Sequence, residues 1–231
     1  VEDMFTIPQG GFAPDFNVKL AEQDYYISMG EGAELLADEL NISREEQEEF
    51  SFSSHEKAVA AREAGKFDNE IVPITLEDGT IIDQDSGPRN PDKEKIKSLN
   101  PAFRADGTVT AATSSPFSIG ASAMLITSEN FANKHGLKIR AFIEGRAVAG
   151  VNWKMFGSGP VPATKKALEK TGLSIDDIDA LELNEAFAAQ ALYCIKKANW
   201  NPDKVNLNGG AVALGHPLGI SGTRIITTLL N

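Results

Sequence analysis

Apolar and polar positions follow two different rhythms along the chain. Between Glu31 and Leu40, the residues Ala33, Leu36 and Leu40 recur at helical spacing, and Asn41 follows as a residue that tolerates the positive φ of a helix end. Ser43-Arg44-Glu45-Glu46 has the form of a capping box, in which the Ser43 hydroxyl accepts from the Glu46 amide while the Glu46 carboxylate reaches back. The helix it opens is predicted to run to Gly65. In IVPITLEDGTIID (71–83), two β-rich runs flank Asp78-Gly79, whose ease at positive φ predicts a hairpin. QDSGPRNPDKEK, with its two prolines and few apolar groups, is a loop. Residues 1–104 therefore form one mainly helical unit with an acidic surface.

From Asp106 onward small residues and glycine increase, and strand-like runs alternate with helical ones. AMLIT (123–127), IRAFIEGRAV (139–148) and ALEL (180–183) are predicted strands. Helices are predicted from Ser128 to Gly136, Pro162 to Gly172 and Glu185 to Ala198, with a capped turn over Ser174–Asp179. Such alternation predicts an α/β fold with a parallel sheet. In sheets of that kind chemistry collects where strand C-termini lead into helix N-termini. Asn184-Glu185, after ALEL, and Gly215-His216-Pro217, ahead of the last apolar run, both fall at such places.

Composition narrows the function classes. The 231 residues, 42% hydrophobic and 24% charged, suffice for one large domain or two small ones with a substantial core. Twenty-two basic against 33 acidic residues give a net charge of −11, which excludes a phosphate-neutralising nucleic-acid surface. One cysteine, Cys194, excludes an internal disulfide framework and a cysteine zinc cluster, and points to a reducing compartment. No apolar run approaches the roughly 20 residues of a membrane span, and the opening VEDMFTIPQGG lacks the basic and apolar regions of a signal peptide. The chain has no initiating Met, and its last residues, GTRIITTLLN, stop inside an amphipathic pattern. Both ends are expected to be cuts.

Several residues are candidates for chemistry. His216 sits between a glycine that lets backbone approach closely and a proline that fixes the next φ. It reads as a general base or oxyanion donor, or as a histidine bonded to a neighbouring carbonyl. His55 and His135 read as solvated positions on polar helix surfaces. Asn184 reads as an oxyanion or water holder, or as the N-cap of a helix starting at Glu185. Glu185 reads as an acid, or as a carboxylate favoured by the helix dipole. The glycines from Gly209 to Gly222 match no phosphate-loop spacing. Ser115, in ATSSPFSIGAS, reads as a ligand contact or as part of a polar surface loop. Cys194, inside AFAAQALYCIKKA, reads as a buried structural thiol.

Taken together, NEAFAAQAL, KVNLNGGAVALGHPLGISGTR, DGTVTAATSS, GPVPATKKAL and NISREEQEEF resemble the thiolase family, specifically its acetyl-CoA acyltransferase (3-ketoacyl-CoA thiolase) branch. The resemblance runs from about Met29 to the last residue. It implies a thiolase fold, built from two layered βαβ halves with an inserted, mainly helical loop domain, here incomplete. On that map residues 1–104 are the loop domain, 105–138 the end of the N-terminal half and 139–231 a truncated C-terminal half. It implies acyl transfer between coenzyme A and an enzyme cysteine, by 3-oxoacyl-CoA thiolysis or acetyl-CoA condensation in fatty-acid metabolism.

His216 matches the family histidine that activates the nucleophilic cysteine and contributes to an oxyanion hole, and Asn184 the asparagine that holds a water completing that hole. Ser115 and Phe103 match contacts to the pantetheine arm, with Ala111, Ala186 and Phe187 expected nearby. Coenzyme A enters as substrate, and neither a further cofactor nor a metal is implied. A homodimer or homotetramer is implied, in the cytoplasm or alternatively in a mitochondrion or peroxisome. The chain departs from the family in containing neither catalytic-cysteine segment, since Cys194 matches neither. It also departs in carrying Ile119 where an aspartate usually orders the loop after Ser115. Alone, the chain is expected to be inactive. The alternative reading is a non-catalytic CoA-binding or scaffolding subunit of thiolase ancestry. A Ser115–His216 hydrolase ranks third, because it lacks a nucleophile-elbow motif.

Overall fold

The computed structural model describes residues 2–3 and 16–231. Most of VEDMFTIPQGG, the expected start of the loop domain, lies outside the described residues. β1 (Glu2–Asp3) is followed by a single helical turn, α1 (Val18–Ala21), capped by the Asn17 side chain. α2 (Met29–Leu40) starts on a capping box not read from the sequence. Ser28 Oγ accepts from the Glu31 amide at 3.1 Å, and the Glu31 carboxylate accepts from the Ser28 amide at 2.9 Å. It ends at Asn41, left-handed at φ 50° as expected. α3 (Arg44–Glu63) carries the reciprocal Ser43–Glu46 box and closes just before Gly65. β2 (Ile74–Thr75) and β3 (Ile81–Ile82) form the predicted hairpin, with Gly79 at φ 85°. After α4 (Lys93–Lys97), β4 (Ile119–Gly120) returns to pair antiparallel with β1.

The second part of the chain is also mainly helical among the described residues. α5 (Glu129–Lys134) is capped by Ser128, and α6 (Pro160–Thr171) stops at Gly172, φ 73°. α7 (Ala188–Ala198), α8 (Ala211–Leu214) and α9 (Ser221–Leu229) complete the order. The core lies where α2 meets α7: Ala33, Leu36 and Ala37 pack with Ala191, Cys194, Ile195, Trp200 and Val205. Helices read as the loop domain thus share one apolar interior with the helix that follows Asn184. Cys194 is fully buried, and burial pushes its thiol up to about 11, so it is inert as the sequence predicts.

Polar groups on α2 and α3 hold the segment that leads into the site. The buried Glu34 carboxylate accepts from the Thr108 and Val109 amides, each at 3.0 Å. Gln47 donates to Thr108 Oγ1 at 2.8 Å, and Ser51 donates to the Ala112 carbonyl at 2.6 Å. Residues 108–112 are therefore fixed from one side by three side chains of two helices.

Three expectations are corrected. AMLIT and IRAFIEGRAV form no regular element, neither enters a ladder among the described residues, and Leu125, Ile126, Phe142, Ile143 and Val148 are exposed. ALEL makes a single parallel bridge, Leu181 to Val205. A strand is defined by its lateral partner, which the local apolar pattern does not supply. His55 is buried rather than solvated, and its Nδ1 has no hydrogen-bond partner among the described residues. Burial, then the nearby Arg89 charge, lowers its pKa to about 4. His135 is exposed as expected, stacked beside Phe131 at 4.2 Å between ring centroids.

Candidate active site

Asn184 stands at the end of a short two-chain bridge that a side chain extends. The Leu181 amide donates to the Lys204 carbonyl at 2.8 Å, and the Asn206 amide to the Leu181 carbonyl at 2.9 Å. The Asn206 side chain then replaces the next backbone unit: Oδ1 accepts from the Leu183 amide at 2.7 Å and Nδ2 donates to the Leu183 carbonyl at 2.8 Å. Asn206 itself is left-handed, φ 48°, a conformation asparagine tolerates. Beyond Leu183 the chain forms no helix: Ala186 is a bend, Phe187 bridges Ser114, and α7 begins only at Ala188. Asn184 is therefore not an N-cap, and Glu185 does not sit in the first turn of that helix.

His216 is delivered by a turn only glycine fits. Gly215 sits at φ 96°, and a Cβ there would overlap the Ser118 hydroxyl. The His216 amide donates to that same Ser118 Oγ at 3.3 Å. The imidazole is half-buried, with Nε2 3.3 Å from Asn184 Nδ2 and Nδ1 2.6 Å from Ser221 Oγ. Ser221 has one proton; donated to the Pro217 carbonyl, at 3.2 Å, it leaves Oγ to accept from Nδ1. Assigned from this pattern, Nδ1 is protonated and Nε2 presents a lone pair toward the Asn184 amide. Burial, and then the Arg224 charge, lowers the His216 pKa, which favours the neutral ring. Asn184 Oδ1 is buried without a hydrogen-bond donor among the described residues.

The remaining sequence-predicted residues gather on the same strands of backbone. The Ser115 amide donates to the Ala186 carbonyl at 2.9 Å, laying 114–115 against 186–187. The Phe103 and Phe187 rings meet edge to face, 5.8 Å between centroids. Phe103 covers Gly30 of α2, where a Cβ would overlap its ring. Ala111 opens the exposed end of a 3₁₀ turn over Ala111–Thr113, three residues before Ser114. His216 and Asn184 are in direct contact, Phe103 and Phe187 are in direct contact, and Ser118 connects the serine loop to His216. The 380 Å³ cavity lined by Ile175, Trp200, Pro202 and Lys204 is separate from this cluster.

Comparison with known proteins agrees with the motifs. The model of the thiolase N-terminal domain matches residues 11–130 and that of the thiolase C-terminal domain residues 137–231. The chain belongs to the thiolase family. A 3-ketoacyl-CoA thiolase of Vibrio parahaemolyticus is 54% identical over 212 residues, covering 88% of this chain and 54% of that protein. The crystal structure of human mitochondrial 3-ketoacyl-CoA thiolase aligns with a TM-score of 0.83 at 36% identity, covering 95% of this chain and 58% of that one. The crystal structure of the Bacillus anthracis acetyl-CoA acetyltransferase aligns with a TM-score of 0.81 at 43% identity, covering 88% of this chain and 53% of that one. The fold is the thiolase fold, and the chain spans about half the length of the relatives it matches.

The structure adds one residue to the sequence-derived candidates and changes the setting of another. Ser221, five residues after His216, orients the ring; the signal was a hydroxyl at the start of the next helix. Glu185 is not an exposed acid at a helix end but is fully buried. Burial pushes its carboxyl up, against the donors Asn206, Ser54 and the Val212 amide. Next to it, burial raises Glu182 to about 7, partly offset by Arg224 at 3.6 Å. At the thiolase loop that carries Ile119 instead of aspartate, Ser118 supplies order. It donates to the Pro116 carbonyl at 2.7 Å while accepting from His216. Ile119 itself is exposed and pairs through its backbone with β1.

Proposed function

We propose that the complete protein is a thiolase-type acyltransferase that moves an acyl group between coenzyme A and an enzyme cysteine. The reactions are thiolysis of 3-oxoacyl-CoA and, in reverse, condensation of acetyl-CoA, in fatty-acid metabolism. One observation carries this reading: His216 Nε2 and Asn184 Nδ2 lie 3.3 Å apart, with the ring held from behind by Ser221. A thiol of ordinary pKa, about 8.5, is mostly protonated at neutral pH. A neutral imidazole with a free Nε2 lone pair is the base that removes its proton. Once protonated, that same nitrogen donates to the oxyanion formed when the thiolate adds to the carbonyl, beside the N–H groups of Asn184.

Cys194 is not that nucleophile, being enclosed in α7 with its thiol pushed up to about 11. The attacking sulfur comes from polypeptide other than these 231 residues. Ser115, Phe103, Ala111, Ala186 and Phe187 form the wall along which the pantetheine arm of acyl-CoA lies. Coenzyme A is a substrate, and no further cofactor or metal takes part. The names of the matched relatives support both directions of the reaction. The proposal includes a homodimer or homotetramer, in the cytoplasm or alternatively in a mitochondrion or peroxisome.

The inert Cys194 also favours a second reading, a CoA-binding subunit without turnover. Incubation of the complete protein with acetoacetyl-CoA and free coenzyme A separates the two. Acetyl-CoA formation that requires both reactants is expected. Retained coenzyme A binding without product would overturn the enzyme reading and leave the second.

A further inference from the structure

Glu185 has an evident structural cost that the acyl-transfer mechanism does not explain. Its carboxylate is completely buried and accepts on both oxygens. Ser54 Oγ donates to Oε2 at 2.7 Å, the Val212 amide to Oε2 at 3.1 Å, and Asn206 Nδ2 to Oε1 at 2.8 Å. Ser54 in turn accepts from the Gly210 amide at 3.1 Å. Gly210 lies so close that a Cβ there would overlap the Glu185 carboxyl. Burying a carboxylate is costly, and three donors with no ion pair to it among the described residues are an expensive way to fill space that an apolar side chain would fill.

The three donors come from three different segments, and two of those lead directly to the site. Glu185 follows Asn184 by one peptide bond, so fixing its carboxylate restrains the backbone at Asn184. The Val212 amide belongs to α8, four residues before His216, and the Gly210 amide begins that same helix. Asn206 holds the strand end at Leu183. Ser54 belongs to α3, from the part of the chain read as the loop domain.

We infer that Glu185 is a positioning residue, whose buried carboxylate sets the Asn184–His216 separation and locks both to α3. It touches neither imidazole nor substrate, and it acts through the two backbone segments it joins. This rests on the acyl-transfer reading for its kinetic consequence, but not for its geometric one.

The test uses the complete protein carrying Glu185→Gln and, separately, Ser54→Ala. Glutamine keeps the size but turns an N–H₂ toward groups that themselves donate. For thiolysis, Glu185→Gln is expected to lower kcat about 10- to 100-fold with KM within about threefold, since misplacement near 1 Å costs about 100-fold. Ser54→Ala should act in the same direction by a smaller factor. In parallel, the His216 ring nitrogens, followed by ¹⁵N NMR, should shift in both variants. Wild-type kcat per folded molecule with unmoved His216 resonances, even alongside lowered melting temperature, would overturn the inference. If Glu185→Gln does not fold, Ser54→Ala decides by the same two readouts. If the unmutated protein shows no thiolysis, the proposed function fails while the His216 resonances still decide the positioning role.

Discussion

Replacing His216 by alanine in the complete protein lowers kcat for thiolysis by about 100- to 10,000-fold, the range of a lost general acid-base group. Folding should survive, because the ring is half-buried, its hydrogen bonds among the described residues go to Asn184 and Ser221, and the bond to Ser118 comes from the backbone amide that alanine keeps. The pH profile provides a second handle. Burial and Arg224 lower the His216 pKa, so the ring stays a neutral base below the pH at which an ordinary histidine charges. The acidic limb of kcat/KM is accordingly expected below about 6.5, the ordinary histidine value. Steady-state kinetics of the variant and the parent across pH measure both effects. An alanine variant with parental turnover would remove His216 from the mechanism.

Gly210→Ala is the second large effect, and it acts on stability first. The Gly210 backbone, φ −136° and ψ −161°, is open to alanine, so the penalty comes from contact alone. The new methyl group would occupy space held by the Glu185 carboxyl. The carboxyl has to move, and the bonds from Ser54, Asn206 and Val212 lengthen or break in a buried site. Hydrogen bonds to a charged group contribute about 1.5 to 3 kcal/mol each, so losing even one or two gives an expected loss near 3 kcal/mol. Denaturant unfolding should show this as a lower midpoint at an unchanged slope. A variant as stable as the parent would mean that the Glu185 network is slack.

Features set by short-range chemistry were legible in the sequence. The Ser43 capping box, the stop at Asn41, the Asp78-Gly79 turn and the burial of Cys194 all depend on groups a few residues apart or on one helix face. The strands were not legible in this sense. AMLIT and IRAFIEGRAV have the apolar content of strands, but pairing is decided by chain elsewhere. The same limit explains His55, whose own helix face is polar but which α3 turns into the interior, and Asn184, whose N-cap reading failed because Phe187 bridges Ser114 and the helix begins only after it. For the site, the GHP and NEAF motifs singled out His216 and Asn184, and the structure brings them into contact. The role of Ser221 and the network around Glu185 were hidden, because Ser54 and Asn206 become neighbours of Glu185 only in three dimensions.

The account stands on a neutral His216 whose free Nε2 lone pair takes the proton of the attacking thiol and, once protonated, donates to the oxyanion formed on the thioester. ¹⁵N NMR of the histidine rings in the complete protein, titrated with acetyl-CoA at neutral pH, measures this directly. The expected spectrum has His216 protonated on Nδ1 and bare on Nε2, with the Nε2 resonance moving on ligand addition. A ring protonated on Nε2, or one blind to acetyl-CoA while the ligand is bound, would contradict it.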